Sequence, residues 1–143
     1  MRFTGYAALW NRADRAGDVF RAGALADGAT VLLHQHRGGS IGRVEARADA
    51  TGLRVSGELE DATLANLVRC GALTGLSVGY RPRATRQGAW REIISAELVE
   101  VSLVAQPMQP GARVMEIEAV PEVNSVTSKR AVARPADLGR DAD

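Results

Sequence analysis

The sequence predicts a mostly β fold with helices (α+β), most simply a small, mostly antiparallel barrel or sandwich with one inserted helix. Three observations carry that expectation. Apolar residues alternate with polar ones in several short runs between residues 3 and 105, and glycine-, aspartate- and serine-bearing turns separate the runs. One stretch, about residues 61–73, switches to the three-and-four spacing of a helix. Pro107 and Pro110 then close the alternating region, because proline cannot donate to a strand ladder.

Each element follows from its own residues. Residues 3–10 alternate loosely and read as the first strand, and residues 11–17 are polar and glycine-punctuated, a loop. Residues 18–25 suggest a short turn or helix that packs one aromatic, Phe20, inward. Residues 31–36 form a strand with Leu32, His34 and His36 on one face. A turn at 37–40 leads to its hairpin partner, 41–47. A second turn at 49–52 leads to a strand through Leu59, with a phase slip at Gly57.

In the helix, Leu64, Leu67, Val68, Gly71 and Ala72 recur on one face, Asp61 is the expected N-cap, and Gly71 or Gly75 the stop. A strand bearing Ser77 follows, then a hairpin tip at 83–88 and a long return over 90–105. On that return Val99, Val101 and Leu103 share one face, and Leu98, Glu100, Ser102 and Val104 the other. Residues 112–120 suggest a last short strand or helix. From Pro121 onward aromatics vanish and the composition is that of a mobile tail. The expected organisation is one domain over 1–120 with a flexible tail over 121–143.

Composition narrows the function. With 143 residues and 45% hydrophobic content the chain can bury a core without staples. Cys70 is the sole cysteine, which removes an intrachain disulfide and cysteine-rich metal sites and favours a reducing compartment. A net charge of +1 offers no basic field for general nucleic-acid binding. No apolar run approaches the ~20 residues of a membrane-spanning helix, so neither nucleic acid nor membrane is an expected partner.

Residues 75–79, Gly-Leu-Ser-Val-Gly, match the G-x-S-x-G pattern of a nucleophile elbow. That elbow needs a helix directly after the serine, yet Val78-Gly79-Tyr80-Arg81-Pro82 alternates like a strand and holds two helix breakers. The match is coincidental, but Ser77 still faces away from Leu76, Val78 and Tyr80. Three readings of the polar residues stand side by side. Ser77 could be a nucleophile served by His36 or His34, with Glu100 orienting the imidazole. His34 and His36, two residues apart on one strand face, could instead ligate a metal with Glu100. The plainest reading leaves all four on solvated faces of a non-catalytic barrel module, and pattern alone favours it.

Four ordered segments shift that balance: 5–11 with 14–20, Leu32-Leu33-His34-Gln35-His36 with Ile41-Gly42-Arg43, Gly75-Leu76-Ser77-Val78-Gly79-Tyr80, and Glu100-Val101-Ser102-Leu103-Val104 with 107–112. Together they resemble the prohead proteases of tailed phages, the capsid-maturation serine proteases, whose fold is related to the herpesvirus assembly proteases. The resemblance implies an assemblin-like antiparallel barrel and a serine endopeptidase without cofactor or metal. It implies cleavage of the capsid precursor or scaffold inside an assembling procapsid in the host cytoplasm, in a phage or a phage-derived gene transfer agent. By position it puts the nucleophile at Ser77 and the base at His36, leaving His34 a supporting role. Both histidines precede the serine, so Glu100 becomes the third member, with Glu97 as fallback. Expected partners are the major capsid protein precursor, a scaffold, the chain's own tail through self-cleavage, and a second copy in a dimer.

Overall fold

The computed structural model describes residues 1–118. The expectations for a flexible tail and for self-cleavage within it lie outside those residues. Eight strands and one short helix follow in the order β1 (Arg2–Leu9), β2 (Asp18–Phe20), β3 (Gly28–His34), β4 (Arg37–Ala48), β5 (Gly52–Leu59), α1 (Ala62–Arg69), β6 (Gly75–Gln87), β7 (Arg91–Val104) and β8 (Val114–Glu118). They form one sheet ordered β2-β7-β3-β4-β5-β1-β8, with β6 paired to β7.

The sheet is mostly antiparallel, as expected, but mixed: five of the seven strand pairings are antiparallel and two are parallel. β6 occupies one edge of β7 along nearly its whole length. The other edge is shared by two strands that both run parallel to it, β2 against Arg91–Ile93 and β3 against Val101–Leu103. Strand pairing between β6 and β8 is not continuous. One isolated bridge, Gly75 with Arg113, spans that gap, flanked by bonds from Leu76 N to Ala112 O (2.9 Å) and from Val114 N to Thr74 O (2.8 Å).

The residues explain the other departures. Residues 18–20 are a strand rather than a turn or helix, because Val19 and Phe20 are fully buried against the β7 edge. β3 stops at His34, so His36 is not on a strand. Gln35 and His36 instead form the two-residue link into β4, both in the left-handed region at φ 55° and 62°. The predicted turn at 37–40 is the start of β4, and residues 83–87 of the predicted tip belong to β6, whose hairpin turns at 88–90. The helix is shorter than 61–73. Asp61 caps it as expected, accepting from Leu64 N (2.9 Å), and the chain leaves it at Gly71, φ 83°, a conformation glycine adopts without a Cβ penalty. Its buried face is Ala65 and Val68, while Leu67, expected inward, is 37% exposed.

The core lies between these strands, around Phe3, Phe20, Leu25, Leu32, Val44, Leu53, Val55, Leu76, Ile93, Val101 and Leu103. Val99 was expected to share the face of Val101 and Leu103 but is exposed. Gly79 pairs with Glu100 and Tyr80 with Leu98, so Val99 is the extra residue of a bulge that turns the strand. On the core side of that bulge, Glu100 and Ser102 are buried too.

Candidate active site

Strand register assembles most of the site. Ser77 on β6 lies directly opposite Ser102 on β7, and Gly79 opposite Glu100. Directly opposed residues share a sheet face, with Cβ atoms about 5 Å apart, so Ser77, Gly79, Glu100 and Ser102 lie on one side. The expected wet face is not wet. Ser77 is 7% exposed, Glu100 8% and Ser102 0%. A buried carboxylate needs partners, and Glu100 has two. Its Oε2 lies 2.5 Å from His36 Nδ1, and its Oε1 accepts from Ser102 Oγ at 2.8 Å.

His36 reaches this face because its turn is pinned to β7. Gln35 N donates to Leu103 O (2.9 Å), Ala105 N to Gln35 Oε1 (3.1 Å), and His36 N to Ser102 Oγ (3.0 Å). A glutamine and a histidine in left-handed backbone are uncommon and cost free energy, so they persist where the surroundings hold them. The imidazole is 40% exposed. With an ionised carboxylate, which only accepts, a neutral imidazole would direct its Nδ1 proton to Glu100 and leave Nε2 as the unprotonated ring nitrogen. Such a pair can hold a base in one tautomer and offset its positive charge after it takes a proton. Among the described residues no hydrogen bond joins Ser77 Oγ to the ring, and the two sides of the site meet through Ser102.

Other expected residues fall elsewhere. His34 ends β3 opposite Arg37 and Leu103. Glu97 sits out on the β6–β7 hairpin, taken up by Arg81 (3.4 Å) and Arg83 (3.2 Å). Among the described residues no three His, Cys, Asp or Glu side chains gather as a metal-holding group, which leaves the His34–His36 metal reading without a third ligand. Sequence reasoning passed over Ser102 and Gly79. The signal for both was a two-residue step on one strand face, Glu100 to Ser102 and Ser77 to Gly79.

A small cavity of about 80 Å³ opens beside Ser77, lined in part by Asp14, Phe20, Tyr80 and Met108. A shallower groove of about 620 Å³ runs past His36 between Gln35, Arg37, Val104 and Gln106. The wall of the small cavity is braced by charge. Asp18, buried at the start of β2, takes two bonds from Arg91 (2.8 and 2.9 Å) and one from the Tyr80 hydroxyl (2.5 Å), and Phe20 meets the Tyr80 ring edge-on at 4.8 Å. The Arg91 guanidinium holds the Asp18 carboxyl below the usual aspartate value, against the opposing effect of burial. Burial, then the bond to Asp18, pushes the Tyr80 hydroxyl up, so it stays protonated as a donor.

Asp18→Asn is therefore expected to destabilise the chain by about 1–2 kcal/mol at neutral pH, at the low end for a charged bond because Arg91 is partly in water. A carboxyl held low in the folded state contributes stability that is complete above the unfolded value. It is lost as pH falls through the folded value, here below 3.8. Denaturant unfolding of parent and variant should show a constant gap above about pH 5 that narrows in acid. A gap that stays flat into acid would mean the pairing contributes nothing.

The family model described as caudovirus prohead serine protease matches residues 1–125. No curated protein matches the chain. Among solved structures, the KSHV protease in complex with a hexapeptide phosphonate inhibitor is similar at a TM-score of 0.55 and 12% identity, covering 79% of this chain and 63% of that one. A second KSHV protease structure gives a TM-score of 0.47 and 11% identity, covering 79% and 58%. The chain thus spans 63% of the length of the first KSHV protease structure, and the likeness is one of fold. With nearly its whole length matched by one family model, the chain belongs to the caudovirus prohead serine protease family.

Proposed function

We propose that this chain is a serine endopeptidase of head maturation, with Ser77 as nucleophile, His36 as general base and Glu100 as the orienting acid. The observation that carries the reading is the contact of 2.5 Å between His36 Nδ1 and the buried Glu100 carboxylate, on the sheet face that also bears Ser77. In this mechanism Nε2 of His36 takes the Ser77 proton as Oγ attacks the substrate carbonyl carbon. The imidazolium is stabilised by Glu100 and then returns the proton to the leaving amine. Water repeats the sequence on the acyl-enzyme.

The proposed substrates are the capsid precursor or a scaffold, cut inside the assembling procapsid in the host cytoplasm, and the chain's own residues 121–143 as a tethered substrate. A tether supplies an effective concentration on the order of millimolar. The cavity beside Ser77, about 80 Å³, has room for one small side chain.

The KSHV protease was solved with a peptide phosphonate, and that chemistry supplies the test. A peptide phosphonate ester should add once to the active chain, with the added mass mapping to the peptide that holds Ser77. EDTA should leave both labelling and cleavage unchanged. Labelling at another residue overturns the assignment. Inactivation by EDTA with recovery on zinc would favour the His34–His36 metal reading, and no labelling with no cleavage would favour a non-catalytic assembly module.

A further inference from the structure

The fully buried Ser102 is unexplained by packing alone, since a hydroxyl inside a sheet is retained only where its bonds are used. Both of its capacities are used, and on two different parts of the site. Its proton goes to Glu100 Oε1 at 2.8 Å and its lone pair receives the His36 backbone N–H at 3.0 Å. We propose that Ser102 is a positioning residue, a hydroxyl clamp that fixes the His36 backbone and the Glu100 carboxylate relative to each other. This rests on the reading of His36 as the base.

The geometry gives the clamp two effects. Holding Oε1 stops the carboxylate from rotating, so Oε2 alone is presented to Nδ1. Holding the His36 N–H ties the second residue of the left-handed link between the paired His34 and Arg37 to β7. The pairing of His34 with Arg37 closes the turn, Gln35 N to Leu103 O and Ala105 N to Gln35 Oε1 dock Gln35 on β7, and the bond from His36 N to Ser102 docks the His36 backbone there. With Ser102 0% exposed, water has no ready path to replace the hydroxyl. Loss of the clamp would let the ring drift, and a drift of ~1 Å at a catalytic group can cost on the order of 100-fold.

Ser102→Ala should lower kcat roughly 10- to 100-fold while KM stays within about twofold, because substrate contacts are untouched. The diagnostic arm is coupling. In a Glu100→Gln background, Ser102→Ala should cost clearly less than it does in the parent, since the half of the clamp that acts through that carboxylate is already gone. A merely structural serine would give losses that multiply, and that result overturns the proposal. Two measurements on the parental chain do not depend on activity or on the variant folding. The His36 backbone amide should be protected from hydrogen exchange although its side chain is exposed, and the His36 Nδ1 proton should resonate far downfield, as in short charge-assisted bonds. A freely exchanging His36 amide overturns the clamp. If Ser77→Ala kept parental activity the catalytic reading would fail, while amide protection would still report the clamp itself.

Discussion

Ser77→Ala is expected to leave a folded chain that no longer cleaves capsid precursor, with a loss approaching ~10⁶-fold in turnover. The size follows from the role proposed for the hydroxyl. Without Oγ there is no atom to form the acyl-enzyme, and the His36–Glu100 pair has no proton to take. The fold should tolerate the change, because no hydrogen bond to the Ser77 hydroxyl holds the described structure together. Cleavage of precursor by the purified variant, set against its melting temperature, separates chemistry from folding. Intact mass gives a second readout: the active chain should shed part of residues 121–143 on incubation, and the Ser77→Ala chain should keep its full mass. Processing at the parental rate by the variant would remove Ser77 from the mechanism.

Gly79→Ala is expected to be the next most damaging change, although glycine takes part in no chemistry. Gly79 faces Glu100 across the β6–β7 ladder, and the glutamate side chain lies flat over it. A methyl at Gly79 would overlap Glu100 Oε2 and stand 2.8 and 2.9 Å from its Cδ and Cγ, well inside contact distance. These are side-chain atoms rather than backbone, so the strand can stay while the carboxylate is expelled. Activity should fall on the order of 100-fold or more, toward the ~10⁴-fold cost of losing an orienting acid in a triad. Unfolding should shift much less than turnover. Adding Glu100→Gln to Gly79→Ala should do little more. Parental turnover in Gly79→Ala would show that the carboxylate is not needed where it lies.

Much of the layout was legible in the residues themselves. Alternation marked β1, β5, β6 and β7, and a single change of period marked the helix with its Asp61 cap, because those signals are local and set by side-chain direction. Helical spacing overran the end at Arg69, since apolar periodicity continues through Gly71 whether or not the backbone does. The resemblance in four ordered segments already pointed to the family whose model matches residues 1–125.

What sequence alone determined was which residue types stand two apart on a strand: Ser77 with Gly79, Glu100 with Ser102. That these two faces are one face follows from strand pairing, because register belongs to two strands together and no single strand carries it. The same holds for the parallel seating of β2 and β3 on β7, which local alternation cannot distinguish from antiparallel pairing. His36 is the clearest case. Period two placed it on a strand beside His34, yet it is the second residue of a two-residue left-handed link closed by the His34–Arg37 pair and docked on β7 through Ser102.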